Sequence, residues 1–249
     1  MYRFFTDKDH INTAEKRAFI SGEDVNHIKN VLRMRPGEEV SLMTPPDDRE
    51  YRCSISSFSE DTVELTILFI KESDVELPCR VVLYQALPKA DKMEFIISKA
   101  VELGVSRIVP VEVTRSVVRL DASRAAKKVS RWNLISEAAA KQSKRGIIPK
   151  VCPVMTMREA LEDCRDHDIK LIPYEMADPK TMDITRKEIG SIAPGMKVAV
   201  FIGPEGGFTD EEISMAQEAG STAITLGRRI LRTETAGLVV LSWIVYNIE

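Results

Sequence analysis

Through its first seventy residues the chain alternates apolar and polar positions with the period of two that turns one face of a strand toward a core. The pattern predicts strands over 40–44 (VSLMT), 51–58 (YRCSISSF) and 62–70 (TVELTILFI), parted by turn residues in PPDD and SED. One helix is predicted among them, over 24–34, where Val25, Ile28, Val31 and Leu32 recur at helical spacing and Pro36-Gly37 ends it. Short strands with a single helix make a small β-barrel module, residues 1–72.

From residue 73 the rhythm changes, and apolar runs alternate with longer amphipathic stretches. Strands are predicted over 81–87, 107–113, 169–174, 197–203 and 222–227, with a weaker one over 151–155. Most are apolar on both faces, as strands of parallel sheets are. Asp91 is predicted to cap a helix whose Met93, Ile96, Ile97, Ala100 and Val101 form one stripe and which stops at Gly104. A long helix over 124–143 follows. Thr156 with Glu159, and Thr209 with Glu212, have the spacing of capping boxes and mark two more helix starts. The last helix, 235–247, is apolar nearly all round, so it is buried in the core or against another chain, a second copy being the sharper reading. Residues 73–249 therefore form an α/β domain with a mostly parallel sheet.

Ligands of such sheets bind beyond the carboxyl ends of the strands. Three of those ends carry unusual sequence: IPYEMADP (172–179), GPEGGF (203–208) and GRRILRTETAG (227–237). The glycines of GPEGGF, with a helix starting at once behind them, can bring backbone amides close to a ligand, although a tight turn explains them equally. The loop lacks the spacing of a dinucleotide fingerprint. Gly190 and Gly195 are followed by Met196 and Lys197, so no P-loop is formed either. In GRRILRTETAG, Arg228, Arg229 and Arg232 flank Ile230 and Leu231. The loop is expected to pack inward and hold a guanidinium in a partly dry place, where its fork suits phosphate or an anionic base.

Composition adds limits. With 35 Lys and Arg against 38 Asp and Glu the net charge is −3, so no overall affinity for polyanions follows. Between residues 115 and 150, however, ten basic residues face only Asp121 and Glu137, an excess of eight that suits RNA or a solvated helix face. No run reaches the ~20 apolar residues of a membrane span. Asp7, Lys8 and Asp9 interrupt the region a signal peptide would keep apolar, so a cytoplasmic protein is expected. Cys53, Cys79, Cys152 and Cys164 form no C-x-x-C pair and have three histidines for company, so they are expected to be small buried hydrophobes and no metal is expected. Neither G-x-S-x-G nor H-E-x-x-H is present, which leaves covalent and metal catalysis unsupported.

Taken in order, HIKNVLRMRPGE (27–38), KMEFIISKAVELGV (92–105), WNLISEAAAKQSKR (132–145), IGPEGGFTDEEI (202–213) and LGRRILRTETA (226–236) resemble the bacterial E-type small-subunit ribosomal RNA uracil-N3 methyltransferases of the SPOUT superfamily. The likeness spans nearly the whole chain. It implies an α/β SPOUT-type trefoil-knot domain preceded by a PUA-like β-barrel RNA-binding domain, a homodimer, and S-adenosyl-L-methionine as cofactor. The implied cofactor residues are Ile172, Pro173 and Tyr174; Ile202, Gly203, Pro204, Glu205, Gly206 and Gly207; and Leu226, Gly227, Ile230, Leu231, Arg232, Thr235 and Ala236. These are the same three strand ends that sheet topology selects. The implied substrate is small-subunit ribosomal RNA, as the assembled subunit.

Neutral uracil N3 carries a proton and has no free lone pair, so methylation requires removal of that proton and stabilisation of an imide anion. Arg232, and next Arg228, are the candidate cations, and Glu234 is a candidate base, although a carboxylate in a helix's first turn can also serve only the dipole. Because N3 lies on the Watson–Crick edge, the target has to be unpaired or extruded. RNA grip is expected from Arg33 and Arg35, and from Arg115, Arg119, Arg124, Lys127, Lys128, Arg131, Lys141, Lys144 and Arg145. Lys92 and Glu94 match the family motif, with capping and packing as the competing role. Alternatives are the same fold acting on a ribose 2′-hydroxyl or a guanine nitrogen, or a non-catalytic RNA-binding assembly factor.

Overall fold

A computed structural model of the chain describes residues 1–45, 47–72, 75–174 and 182–249. The chain divides into two compact units, Met1–Glu76 with Ala140–Ile148, and Leu77–Ala139 with Pro149–Glu249.

The first unit is a six-stranded sheet of β1 (Tyr2–Phe5), β2 (Ile11–Asn12), β3 (Arg17–Ser21), β4 (Glu39–Thr44), β5 (Asp47–Phe58) and β6 (Thr62–Glu72), in the order β1-β4-β5-β6-β3-β2. It is antiparallel except where β1 runs parallel to β4. The alternation read from sequence does its expected work: Val40, Leu42, Cys53, Ile55, Val63 and Leu65 are buried in one cluster with Phe4, Ile20, Val25 and Ile28. The predicted helix is shorter than its pattern. It is α1 (Glu23–Asn26) followed by a wide π turn over His27–Val31. The wider turn rotates Val31 off the core stripe, and its side chain is exposed. Strands β1 to β3 escaped the pattern altogether.

The second unit contains β7 (Arg80–Ala86), α2 (Lys92–Glu102), β8 (Arg107–Glu112), α3 (Ala122–Gln142), β9 (Lys150–Val151), β10 (Met155–Thr156), α4 (Met157–Asp163), β11 (Ile169–Pro173), α5 (Met182–Gly190), β12 (Lys197–Ile202), α6 (Asp210–Glu218), β13 (Thr222–Ile224) and α7 (Thr233–Ile248). The last residues of α3 belong to the first unit. Its sheet is parallel at every pairing, in the order β10-β8-β7-β12-β11-β13, with β9 also on β8. Because β12 lies next to β11 and β11 next to β13, the three strand ends singled out by sequence are neighbours. Residues 175–179 of the first of those segments lie outside the described residues.

Both capping boxes form: Thr156 and Thr209 accept the amides of Glu159 and Glu212, whose carboxylates return the bond. Asp91 does not behave as expected. It occupies the N-cap of α2, but its side chain makes no cap bond because its backbone (φ −92°, ψ 13°) is not the extended conformation that aims a capping side chain. Gly104 ends the helix at φ +83°. All four cysteines are free and buried, as expected of small hydrophobes.

Candidate functional site

At the carboxyl ends of β11, β12 and β13 the loops enclose a cavity of about 450 Å³. Pro173 and Tyr174 border it from the first strand end, Ile202, Gly203, Pro204, Glu205, Gly207 and Phe208 from the second, and Thr225 to Thr233 with Ala236 from the third. Each loop is fixed from behind. The Tyr174 amide donates to Ile224 O (3.0 Å) and its hydroxyl to Asp210 Oδ1 (2.6 Å). The GPEGG turn closes through Gly207 N to Pro204 O (2.9 Å). A side chain at Gly203 would be crowded, since a Cβ there would stand 3.2 Å from the ring of buried Phe208. Thr225 exchanges two 3.1 Å bonds with the Thr185 hydroxyl, after which Gly227 turns the chain at φ +102°.

Lys92, at the start of α2, also borders the cavity and joins two of its loops: Nζ lies 2.8 Å from Glu205 Oε1 and 3.2 Å from Glu234 Oε2. The Glu205 bond, aided by Glu234, holds the Lys92 ammonium above its usual range against the effect of burial. Burial pushes the Glu205 carboxyl up, but Lys92 and the backbone amides of Glu205 and Lys89 outweigh it and hold it below the usual carboxylate range. Lys92 is thus a pocket residue, whereas Glu94 pairs with Arg131 at the surface.

Most of the residues expected at the site meet here; Ile172, Gly206, Thr235 and Glu234 are not on the wall. Ile172 is fully buried in the core. Arg228 and Arg232 line the cavity, but the expectation of a dry guanidinium is wrong. The Arg232 side chain is 82% exposed and Ile230 is 84% exposed. β13 is the edge strand of its sheet, and the segment that leaves it turns its arginines and Ile230 to solvent. Phe208, Arg229 and Thr233 border the cavity from within the loops that the sequence singles out, without having been named as cofactor or catalytic residues, and Thr225 was missed.

The RNA methyltransferase domain family matches residues 75–245, and the RNA methyltransferase PUA domain family matches residues 20–68. Ribosomal RNA small subunit methyltransferase E of Bacillus subtilis is 36% identical over all of this chain and 98% of its own length. The protein of the same name from Mesomycoplasma hyopneumoniae is 34% identical over 97% of this chain and 98% of its own. The chain belongs to the ribosomal RNA small subunit methyltransferase E family. The family's enzyme from Neisseria gonorrhoeae, solved bound to S-adenosyl methionine, matches 97% of this chain and 95% of its own at a TM-score of 0.82 and 34% identity.

The basic residues between 115 and 150 do not all stand free for RNA. Arg145 is buried: its guanidinium grips Glu76 through Nε at 3.1 and 3.2 Å and through Nη2, and the same carboxylate accepts the Gly146 amide. It holds the first unit together and is unavailable to RNA. Lys141 is bound to both oxygens of Asp24 (3.0 and 3.1 Å). Arg115 donates to the carbonyls of Gly206 and Phe208 (3.0 and 3.1 Å), so it braces the glycine loop from outside. Arg119 is tied to Glu112 and Arg124 to Asp121, both with exposed side chains, while Lys128 stands 5.9 Å above the Trp132 ring. Lys127, Lys144, Arg33 and Arg35 are exposed, as surface candidates should be.

Proposed function

We propose that the protein transfers the methyl group of S-adenosylmethionine to N3 of a uracil in small-subunit ribosomal RNA. The single observation that supports this most is the convergence of the three loops on one cavity, with apolar walls, a glycine backbone and a cationic rim. The residues fit such a cofactor: Ile202, Leu226, Leu231 and Ala236 offer apolar surface, and Gly203 and Gly207 admit close approach to the main chain. When bound, the cofactor supplies an electrophilic methyl group on a sulfonium.

The chain's own task is then to orient the base and carry the charge that develops when N3 loses its proton. Arg232, at the mouth with its guanidinium in solvent, is placed to meet an incoming base and steady the imide anion, with Arg228 beside it. Glu234 faces Lys92, a geometry that favours holding the site together over accepting the N3 proton. Helix α7 buries Gly237, Val240, Leu241 and Ile244, while Tyr246 is 90% exposed. Self-association through that exposed part belongs to the same reading, as does the knotted path expected of the superfamily.

The test is to incubate the protein with labelled S-adenosylmethionine and small ribosomal subunits and map the label. One N3-methylated uridine is expected; label on ribose or guanine replaces the uracil reading. An Arg232→Ala variant should turn over about a hundredfold more slowly, the size seen when one stabilising donor is lost.

A further inference from the structure

Gln85 is the central polar residue of the second sheet. It lies on β7 opposite Ile202 and Pro110 and has no solvent exposure. Its Nε2 donates to Ala86 O (3.0 Å) and to Thr233 Oγ1 (2.9 Å). Thr233, buried at the first turn of α7, donates its own hydroxyl proton to Gly203 O at 2.6 Å. The direction of this chain is forced. With a lone pair of the hydroxyl engaged by the amide, its one proton goes to the carbonyl. A buried relay thus runs from the sheet through α7 to the residue that opens the glycine loop, and both Thr233 and Gly203 face the cavity.

The relay leaves a defect. Among the described residues Gln85 Oε1 is buried without a hydrogen-bond partner, directed at α7 near Gly237, where an added Cβ would stand 3.8 Å away. An unpaired buried acceptor destabilises a fold, and an apolar side chain of similar length would fill the position without one. Packing alone therefore does not account for a glutamine here. Its amide is useful for what it orients: the Gly203–Pro204 peptide plane, and with it the approach of Glu205 to Gly207 to a ligand.

We propose that Gln85 and Thr233 are positioning residues for the methyl-donor site, which hold the Gly203 carbonyl so that the glycine loop is preformed for its cofactor. The assignment rests on the methyl-transfer reading above. It acts through backbone placement and does not involve contact with the reacting atoms. The same turn of α7 begins with Arg232, so the relay also ties the rim cation to the loop.

The experiment is calorimetric titration of the full-length protein with S-adenosylmethionine, together with melting curves and steady-state kinetics. Thr233→Val, which keeps shape and removes the hydroxyl, should weaken the cofactor Kd about tenfold, and Thr233→Ser should restore it to within about twofold. The KM for S-adenosylmethionine should rise while that for RNA stays unchanged. Gln85→Met should weaken cofactor binding similarly while its melting temperature is unchanged or higher, because the orphan acceptor goes with the relay. Wild-type affinity in Thr233→Val or Gln85→Met overturns the assignment, as does failure of the serine to rescue. If Thr233→Val does not fold, Gln85→Met decides by the same criteria. Wild-type protein that does not bind S-adenosylmethionine overturns the methyl-donor reading and the assignment with it, so the two failures are told apart.

Discussion

Glu50 offers a sharp test of how the first unit holds its outer charges. It is 2% exposed, yet three cations converge on it: Arg3 at 2.8 Å, Lys71 at 3.3 Å and Arg52 at 3.4 Å, with the Ser41 hydroxyl donating at 2.5 Å. Burial alone would push the carboxyl up; the Ser41 bond, the Arg3 charge and Lys71 together hold it below the usual range. Glu50→Gln keeps the shape and removes the charge. Stripping one partner from a fully buried pair costs about 3–5 kcal/mol, but Arg52 and Lys71 reach solvent, so the loss falls mainly on Arg3, 9% exposed, which keeps its bond to the Lys144 carbonyl. The loss should be about 2 kcal/mol at pH 7, within the ~1.5–3 kcal/mol of a hydrogen bond to a charged group.

Amide exchange reads this locally. Protection in β1, β4 and β5 should fall roughly thirtyfold, the ratio that corresponds to 2 kcal/mol, with the second unit as internal control. Because the folded pKa is depressed, the stabilisation is fully present above the unfolded value and is lost as pH falls through the folded one. The gap between wild type and variant should therefore close as the medium is acidified below the ordinary carboxylate pKa. Unchanged protection at pH 7, or a gap that is the same under acid, refutes the reasoning.

Other outcomes follow from single contacts. Gly203→Ala should weaken S-adenosylmethionine binding by about tenfold or more by titration calorimetry, because its Cβ would stand 3.2 Å from a Phe208 ring that is locked in the core, and small misplacements at a site are costly. Gly104→Ala should lower stability by about 1–3 kcal/mol in thermal melts, since φ is +83° and the new Cβ would stand 2.7 Å from Leu77 Cγ and Cδ1. Lys127→Glu should weaken RNA binding and reduce the slope of log affinity against log salt by about one or more in filter-binding assays, while Arg145→Gln should leave that slope unchanged and destabilise the first unit.

How much of this was legible in the sequence depended on distance along the chain. The two capping boxes span three residues each and were read correctly, and the parallel sheet and its three loop-bearing ends followed from local periodicity plus a general rule of topology. Strand β1 was invisible because it is four residues long and gains its meaning from pairing with β4, far ahead in the chain. The basic belt misled for the same reason. Lys141 is neutralised by Asp24, 117 positions away, Arg145 by Glu76, 69 away, and Nη1 of Arg115 is engaged by carbonyls 91 and 93 positions on. A run of like charge in sequence carries no information about partners that only folding brings near.

That correction sharpens the electrostatic argument for the site. Lys92 engages both nearby carboxylates, Glu205 and Glu234, so neither is left to balance the third loop. Arg232 reaches Glu234 only at 4.0 Å, and Arg228 and Arg229 form no ion pair among the described residues. Among the described residues, four cations (Lys92, Arg228, Arg229 and Arg232) against two carboxylates leave an excess of two positive charges around the cavity in a chain whose net charge is −3. On the proposed uracil-N3 reading, a neutral base gains little from such a rim, whereas the imide anion, once the proton leaves, gains more. Solvent screens guanidinium groups as exposed as these, so the stabilisation must come when the RNA itself covers the loop and excludes water. Free uridine, too small to do so, should therefore be a poor substrate even at saturating cofactor.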